Sequence, residues 1–388
     1  MAALGRIGRL ALGAAAVAVV GGAATAAGAW LDPTRAAHAY LAAFAYVASI
    51  AVGGLVLLLI GYAAGARWMA VLRRLHETLV VGFPLLALLF VPVALGVEYL
   101  YPWAGPAALS EPERHLIDLK RAYLNVPFFV ARTALYFAVW ILAAEVLRRW
   151  SRRRDREPVT DLGRERAFAA ALLPPVGLAI TFAAFDWLMS LQPTWASSMF
   201  GVYFFAGGFV AAIALLAVLA RRAVVTGAVA LTPHHFHALG RLLLAFVVFW
   251  AYAAFFQAFL IQIANKPSEV TFYLARVTGS WKAFVYILVL DHFALPFLLL
   301  LPRAVKYSSG YVAVVATWIL VLHYVDVYWL VLPVLGGAGV APHWLDLSAL
   351  AAVGGATVAW CAWRQRGVPL LVAGDPLVPE GLHYASPT

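Results

Sequence analysis

The chain has 388 residues, 64% hydrophobic and 12% charged, with a mean hydropathy of +0.87 and a formal net charge of +10. Soluble domains carry about 25% charged residues, so this composition excludes an ordinary soluble enzyme and makes the lipid bilayer the solvent. The one cysteine, Cys361, excludes a disulfide framework and any iron–sulfur or zinc site held by thiolates of this chain alone.

Apolar runs of about 20 residues are long enough to cross a bilayer as helices, and the alternation of a membrane barrel strand is missing. Ten runs predict spans at 7–30, 38–62, 77–99, 124–147, 167–190, 199–220, 240–263, 281–301, 311–331 and 346–363. The first, within "MAALGRIGRLALGAAAVAVVGGAATAAGAW", has the basic start and Ala-rich end of a cleaved signal peptide. An even number of spans suits the charge pattern, so it is read as a retained helix. Twenty of the 28 Lys and Arg residues fall on one side, from Arg6 and Arg9, through the run "RRWSRRRDREPVTDLGRER" (148–166), to Arg364 and Arg366. The positive-inside rule then places both termini and every even-numbered loop in the cytoplasm. The basic excess serves topology and contact with anionic lipid, with no nucleic-acid footprint. The 148–166 loop reads as a solvated charge run, and the tail 367–388 as a polar segment too short to fold alone.

The expected fold is a single all-α integral membrane domain over 1–388, N-in and C-in. Residues 1–37 form the first helix and outer loop, 38–190 a first four-helix bundle, and 199–333 a second. Residues 334–366 hold the last helix and 367–388 the cytoplasmic tail. A faint internal echo supports two bundles, helices 2–5 and 6–9, related by an axis along the membrane normal. "RLHETLVVGFPLLAL" opens the third span and "HFHALGRLLLAFVVF" the seventh, and Pro127-Phe128 pairs with Pro296-Phe297.

Polar and ionisable groups in a bilayer are costly and mark bundle interiors or functional sites. In chain order they are Arg132 and Tyr136, on one face of the fourth span with Asn125; Asp186 on the fifth; Gln257, Gln262 and Asn265 on the seventh; Asp291 and His292 on the eighth; and His323 and Asp326 on the ninth, at i, i+3. Lys266-Pro267 is expected to end the seventh span, because proline cannot continue the helical ladder. Counting about 1.5 Å per residue places Arg132, Asp291, His323 and Asp326 between the midplane and the outer surface, so the groups are expected to share one polar interior. The structural account is that Arg132 pairs with Asp186 or Asp326 and the amides are interhelical glue worth about 0.6 kcal/mol each. The functional options are a proton path, a quinone head-group pocket or a polar-substrate route.

His292 and His323 on consecutive helices raise a bis-His haem, but each has an Asp close by in sequence, which suits a proton relay better. "PHHFH" (233–237) resembles a metal tract, yet lacks an adjoining Cys or acid, and a helix entry capped by Thr232 is preferred. Phosphate-binding glycine loops, GxSxG and HExxH are absent from the sequence.

Six segments carry a resemblance: "LKRAYLNVPFFVARTALYFAVW" (119–140), "FDWLMSLQPTWASSMFGVYFFAGGF" (185–209), "LTPHHFHALGRLLLAFVVFWAYAAFFQAFLIQIANKPSEVTFY" (231–273), "GSWKAF" (279–284), "DHFALPFLLLLPRAVK" (291–306) and "HYVDVYWLVLP" (323–333). Together they resemble the ActF family, the second NrfD-like membrane subunit of bacterial alternative complex III, a quinol:cytochrome c oxidoreductase. The resemblance implies ten helices in two four-helix bundles in the bacterial cytoplasmic membrane. It implies as partners an iron–sulfur subunit, multihaem and monohaem cytochromes c, a sister NrfD-like subunit of the ActC type and, in some assemblies, a terminal oxidase. Haem and iron–sulfur clusters would sit in those partners. This chain would contribute a quinone site (menaquinone or ubiquinone), a proton route, or both. On that reading Asp186, Asp291, His292, His323 and Asp326 are proton-path candidates, and Arg132, Tyr136, Gln257, Gln262 and Asn265 are polar-pocket candidates. Lys266 and Ser268 depart from the expected "ANxPEE" pattern, which makes the outer rim less acidic. The rivals are a quinone-free proton-conducting or structural subunit and the anchor of another NrfD-type reductase. A secondary transporter would need broken helices near Pro84, Pro92 or Pro296.

Overall fold

The computed structural model describes residues 2–105, 109–336, 339–340 and 342–386. Regular structure among the described residues is entirely helical, and ten helices are long and apolar enough to cross a membrane. They are α1 (Gly8–Leu31), α2 (Pro33–Ala63), α3 (Arg73–Leu95), α4 (Val126–Arg153), α5 (Gly163–Leu191), α6 (Phe200–Val225), α7 (Pro233–Ala264), α8 (Trp281–Leu300), α9 (Ser309–Leu335) and α10 (Trp344–Arg364). Each covers a run recognised from hydropathy, because only a helix satisfies every backbone polar group without water.

The helices start where local chemistry supplies a cap. Asp32 accepts from the Arg35 N–H before Pro33 opens α2, and Asn125 accepts from the Phe128 N–H before α4. Thr232 and His235 form a reciprocal cap on α7, as the helix-entry reading of "PHHFH" expects. Two spans are irregular. α3 consists of Arg73–Val80, Phe83–Leu89 and Val91–Leu95, with Pro84 and Pro92 in the first turns of the later pieces, where a missing N–H costs nothing. α8 carries a π-helical turn, Leu288–Ala294, containing Asp291 and His292; such turns concentrate at functional sites. Pro127 lies in the first turn of α4 whereas Pro296 lies beyond that π turn, so the two members of the proposed echo sit at different depths.

α2 and α6 form the centre, with 83% and 72% of their apolar windows buried, against 6% for α1. They touch backbone to backbone: a Cβ on Gly53 would lie 2.4 Å from the Gly208 carbonyl oxygen, and one on Gly208 2.5 Å from that of Ser49. Close approach through small residues is how helices gain packing energy in lipid, where the hydrophobic effect drives nothing. α1 pairs with α10 at the perimeter, Gly21 against Ala352 and Gly28 against Leu345. Ten spans bring both ends of the chain to one face, here the terminal face; the other is the distal face.

One expectation about the terminal face is corrected, and the tail is seen to use the same face. The 148–166 loop is no free charge run: Arg154 is 2% exposed and donates to Glu165 (2.7 Å) and the Tyr62 hydroxyl (2.6 Å), while Asp155 accepts from buried Arg74 at 2.5 Å. The tail is packed across the same face. Buried Asp375 pairs with Arg73, His235 Nε2 meets the Gly381 carbonyl at 3.0 Å, and His237 Nδ1 meets Ser386 Oγ at 2.7 Å. The pattern of charges along the chain hid this because Arg73 and Arg74 are answered by acids far away in sequence, Asp375 and Asp155.

Candidate functional site

The candidate residues, expected to share one interior, divide into two clusters, the lining of a cavity and one outlier. The first cluster joins α4 to α5. Arg132 donates through Nε and Nη2 to the two oxygens of Asp186, at 2.8 and 2.9 Å, and Tyr136 donates to Asp186 Oδ2 at 2.7 Å. The guanidinium also donates to the Tyr123 carbonyl at 2.9 Å and lies 3.7 Å above the Tyr123 ring. Asp186 is wholly buried. A two-pronged pair with both oxygens engaged is closed on itself, as the structural account of Arg132 expects. Arg132 and Tyr136, named as pocket candidates, are thus engaged by Asp186 and do not line the cavity between α7 and α8. Asn125 caps its own helix.

The second cluster joins α2, α6, α7, α8 and α9. Asp326 accepts from the Tyr203 hydroxyl and, through Oδ2, from Trp250 Nε1 at 3.1 Å. His323, one turn before Asp326, holds Ser49 Oγ on Nε2 at 2.8 Å and places Nδ1 3.9 Å from Asp326 Oδ2. The His292 ring stands edge-on to Trp250, centroids 4.3 Å apart. The i, i+3 spacing on α9 makes the His323–Asp326 pairing, and Gly207 lets α6 approach it: a Cβ there would lie 3.0 Å from His323 Cε1. All these side chains are buried. Among the described residues no Lys or Arg pairs with Asp326; its hydrogen bonds come from neutral donors. Among the described residues no group of three or more His, Cys, Asp or Glu side chains is placed to hold a metal ion.

Beside this cluster lies a cavity of about 750 Å³ between α7 and α8, closed at the distal end by the short helix Pro267–Val277. Tyr203, Trp250, Gln257, Tyr273 and Trp329 give its inner wall polar points; Tyr252, Phe255 and Val289, all exposed, flank its mouth on the lipid-facing surface. Gln257 is buried, donates to the Tyr273 hydroxyl at 3.1 Å and, among the described residues, leaves Oε1 without a partner. Gln262 and Asn265 line the cavity too but are exposed, which puts them at its rim. Asn265 ends α7 by adopting the left-handed conformation, φ 44°, which asparagine tolerates better than most residues. α7 thus stops directly before Lys266-Pro267, as expected, and Pro267 is the first residue of the next helix.

Arg276, on that short helix, is 1% exposed and among the described residues has no carboxylate partner. It donates to Gln192 Oε1 (2.7 Å) and to the carbonyls of Phe272 (2.9 Å) and Leu330 (2.7 Å), and stacks 3.6 Å above Phe272. Burial pulls its pKa down to about 9, which still leaves a cation at neutral pH. Its field falls on Tyr203 and Tyr273, so the inner wall stands between a carboxylate and a guanidinium.

The outlier is Asp291. It is partly exposed, while its neighbour His292 points inward. Its backbone carbonyl accepts from Trp318 at 2.8 Å, and among the described residues its carboxylate has no hydrogen-bond or ion-pair partner. An aspartate at mid-span costs about 2.5–3.5 kcal/mol on insertion scales, so this group stands apart from the proton-path cluster in which it was expected.

Sequence reasoning missed Ser49, Tyr203, Trp250, Tyr273 and Arg276. The available signal was Trp250 inside its span, away from the interfacial belts where tyrosine and tryptophan gather. No family model matches the chain, and no curated protein matches its sequence.

Proposed function

We propose that the chain is a membrane subunit of a quinol-oxidising, NrfD-type respiratory complex, with its terminal face in the cytoplasm, and that it binds a quinone between α7 and α8 and takes up protons at Asp326. One observation carries this reading: Tyr203 and Trp250 belong both to the wall of a lipid-facing cavity of about 750 Å³ and to the hydrogen bonds of a buried carboxylate. The volume lies within the range of cofactor and drug-sized pockets, and an apolar mouth on the lipid side suits a ligand that arrives through the membrane.

The residues fit a ring bearing two hydroxyl or carbonyl oxygens. Gln257 offers its unpartnered oxygen to a hydroxyl, and Tyr273, fixed by Gln257, offers a phenolic hydroxyl. Tyr203 accepts a proton from the ligand's side as it passes its own to Asp326, and His323 lies one step further, bonded to Ser49 on the central helix α2. A quinol supplies two electrons and two protons. On this reading the electrons leave through haem and iron–sulfur clusters of partner subunits, and the titratable side chains here manage the protons. The resemblance of residues 119–333 to the ActF family supports the same assignment.

The test is to purify the chain from its native membrane, identify its companions and extract bound quinone, then label with a photoreactive quinone analogue. The expected result is c-type cytochromes and an iron–sulfur protein as companions, with label in 248–277 displaced by quinol. Isolation alone, or label elsewhere, overturns the proposal. A quinone-free proton-conducting subunit is the second reading, favoured by the Ser49–His323–Asp326 contacts running across buried helices away from the cavity; labelling absent with companions present would select it.

A further inference from the structure

Asp291 sits ten residues from one end of α8 and nine from the other, about 15 Å from either surface at 1.5 Å per residue. It is partly exposed, faces away from the cavity, and has no partner for its carboxylate among the described residues. Around it the surface is apolar: Leu298 on α8 is 61% exposed, and Val314, Trp318 and Val321 on α9 are 71, 40 and 55% exposed. Trp318 ties the two helices together through its bond to the Asp291 carbonyl. Acyl chains offer no donor to a carboxylate at this depth.

We infer that the α8–α9 seam docks a transmembrane helix of a different protein, which brings a Lys, Arg or His side chain to Asp291 at mid-membrane. Charge complementarity names the occupant. No Lys or Arg lies in the middle third of any of the ten spans, and both mid-span histidines, His292 and His323, are buried. A second copy of this chain therefore has no cation to offer at that depth. The remainder of the seam supplies apolar contact, as transmembrane helix pairs require. The π turn presents Asp291 outward on the residue adjoining inward-facing His292, so partner docking and the buried cluster share one helical turn. The inference stands without the quinone reading, since it uses neither the cavity nor Asp326.

The experiment places a photoreactive phenylalanine analogue at Val314 or Val321, with Leu178 on exposed α5 as control, in full-length chain in its native membrane. A discrete protein adduct is expected at the seam, with the trapped segment carrying a basic residue at mid-span. Adduct yield should fall at least tenfold in Asp291→Leu and Asp291→Lys and persist in Asp291→Glu. The purified chain carrying Asp291→Leu should melt in detergent at or above the wild-type temperature, which shows that it folds. Lipid-only or self adducts, a trapped segment without a basic residue, an adduct indifferent to Asp291→Leu, or a lower melting temperature for that variant would each overturn the inference.

Discussion

The Asp186 and Asp326 clusters each hold a buried aspartate and a tyrosine, yet they are chemically opposite. At Asp186 a guanidinium meets both carboxylate oxygens and a tyrosine completes the set, so the charge is neutralised and nothing is left to exchange. At Asp326 the partners are a phenol and an indole, with no cation bonded to the carboxylate, and the same two donors form the wall of a cavity. Asp186 is tied to a cation across two helices, whereas the donors that hold Asp326 also open onto a cavity. Composition is therefore a poor guide to which intramembrane acid works. The identity of its partner decides.

The comparison breaks most easily at Arg132. Arg132→Met leaves Asp186 buried and unpaired and should cost about 3–5 kcal/mol, read as a lower melting temperature in detergent and reduced yield. The double variant Arg132→Met, Asp186→Leu should recover most of that loss and oxidise quinol normally once assembled. An assembled double variant without turnover would move the first cluster into the chemistry. Asp326→Asn should act the other way, with melting nearly unchanged and quinol oxidation by the assembled complex lowered on the order of a hundredfold, the usual scale for losing an acid–base group. Full turnover there would remove Asp326 from the proton route. Gln257→Leu deletes the free acceptor and the support of Tyr273. It should raise the KM for quinol about tenfold, equivalent to about 1.4 kcal/mol, with kcat changed less; an unchanged KM places the ligand elsewhere. The smallest effect is expected at the terminal face. His237→Ala loses one bond to Ser386, worth about 1 kcal/mol, and should speed proteolysis of the tail without altering turnover.

Ten spans were legible because the hydropathy signal is local: about 20 apolar residues must be helical in lipid wherever they sit in the fold. His323 and Asp326 were legible as a pair because i, i+3 spacing is also local. Convergence was not. Counting residues from span ends placed Asp291 at the same depth as Asp326, but depth carries no azimuth, and adjacent residues on a helix point about 100° apart, so Asp291 faces out where His292 faces in. Tyr203 and Trp250 were not singled out, since their importance depends on which helices α6 and α7 meet. Arg276 was assigned to an outer loop by hydropathy, and only the fold of Pro267–Val277 shows it buried among carbonyls.

From sequence alone followed the solvent, the number of crossings and the roster of polar groups that a bilayer tolerates only at a cost. Tertiary structure alone decided which of those groups meet, which one stands unpartnered on the surface, and where two helices part to leave a cavity. The division has a physical cause. Transfer into lipid is settled residue by residue along the chain, whereas hydrogen bonding between helices depends on rotation and spacing that no single helix encodes.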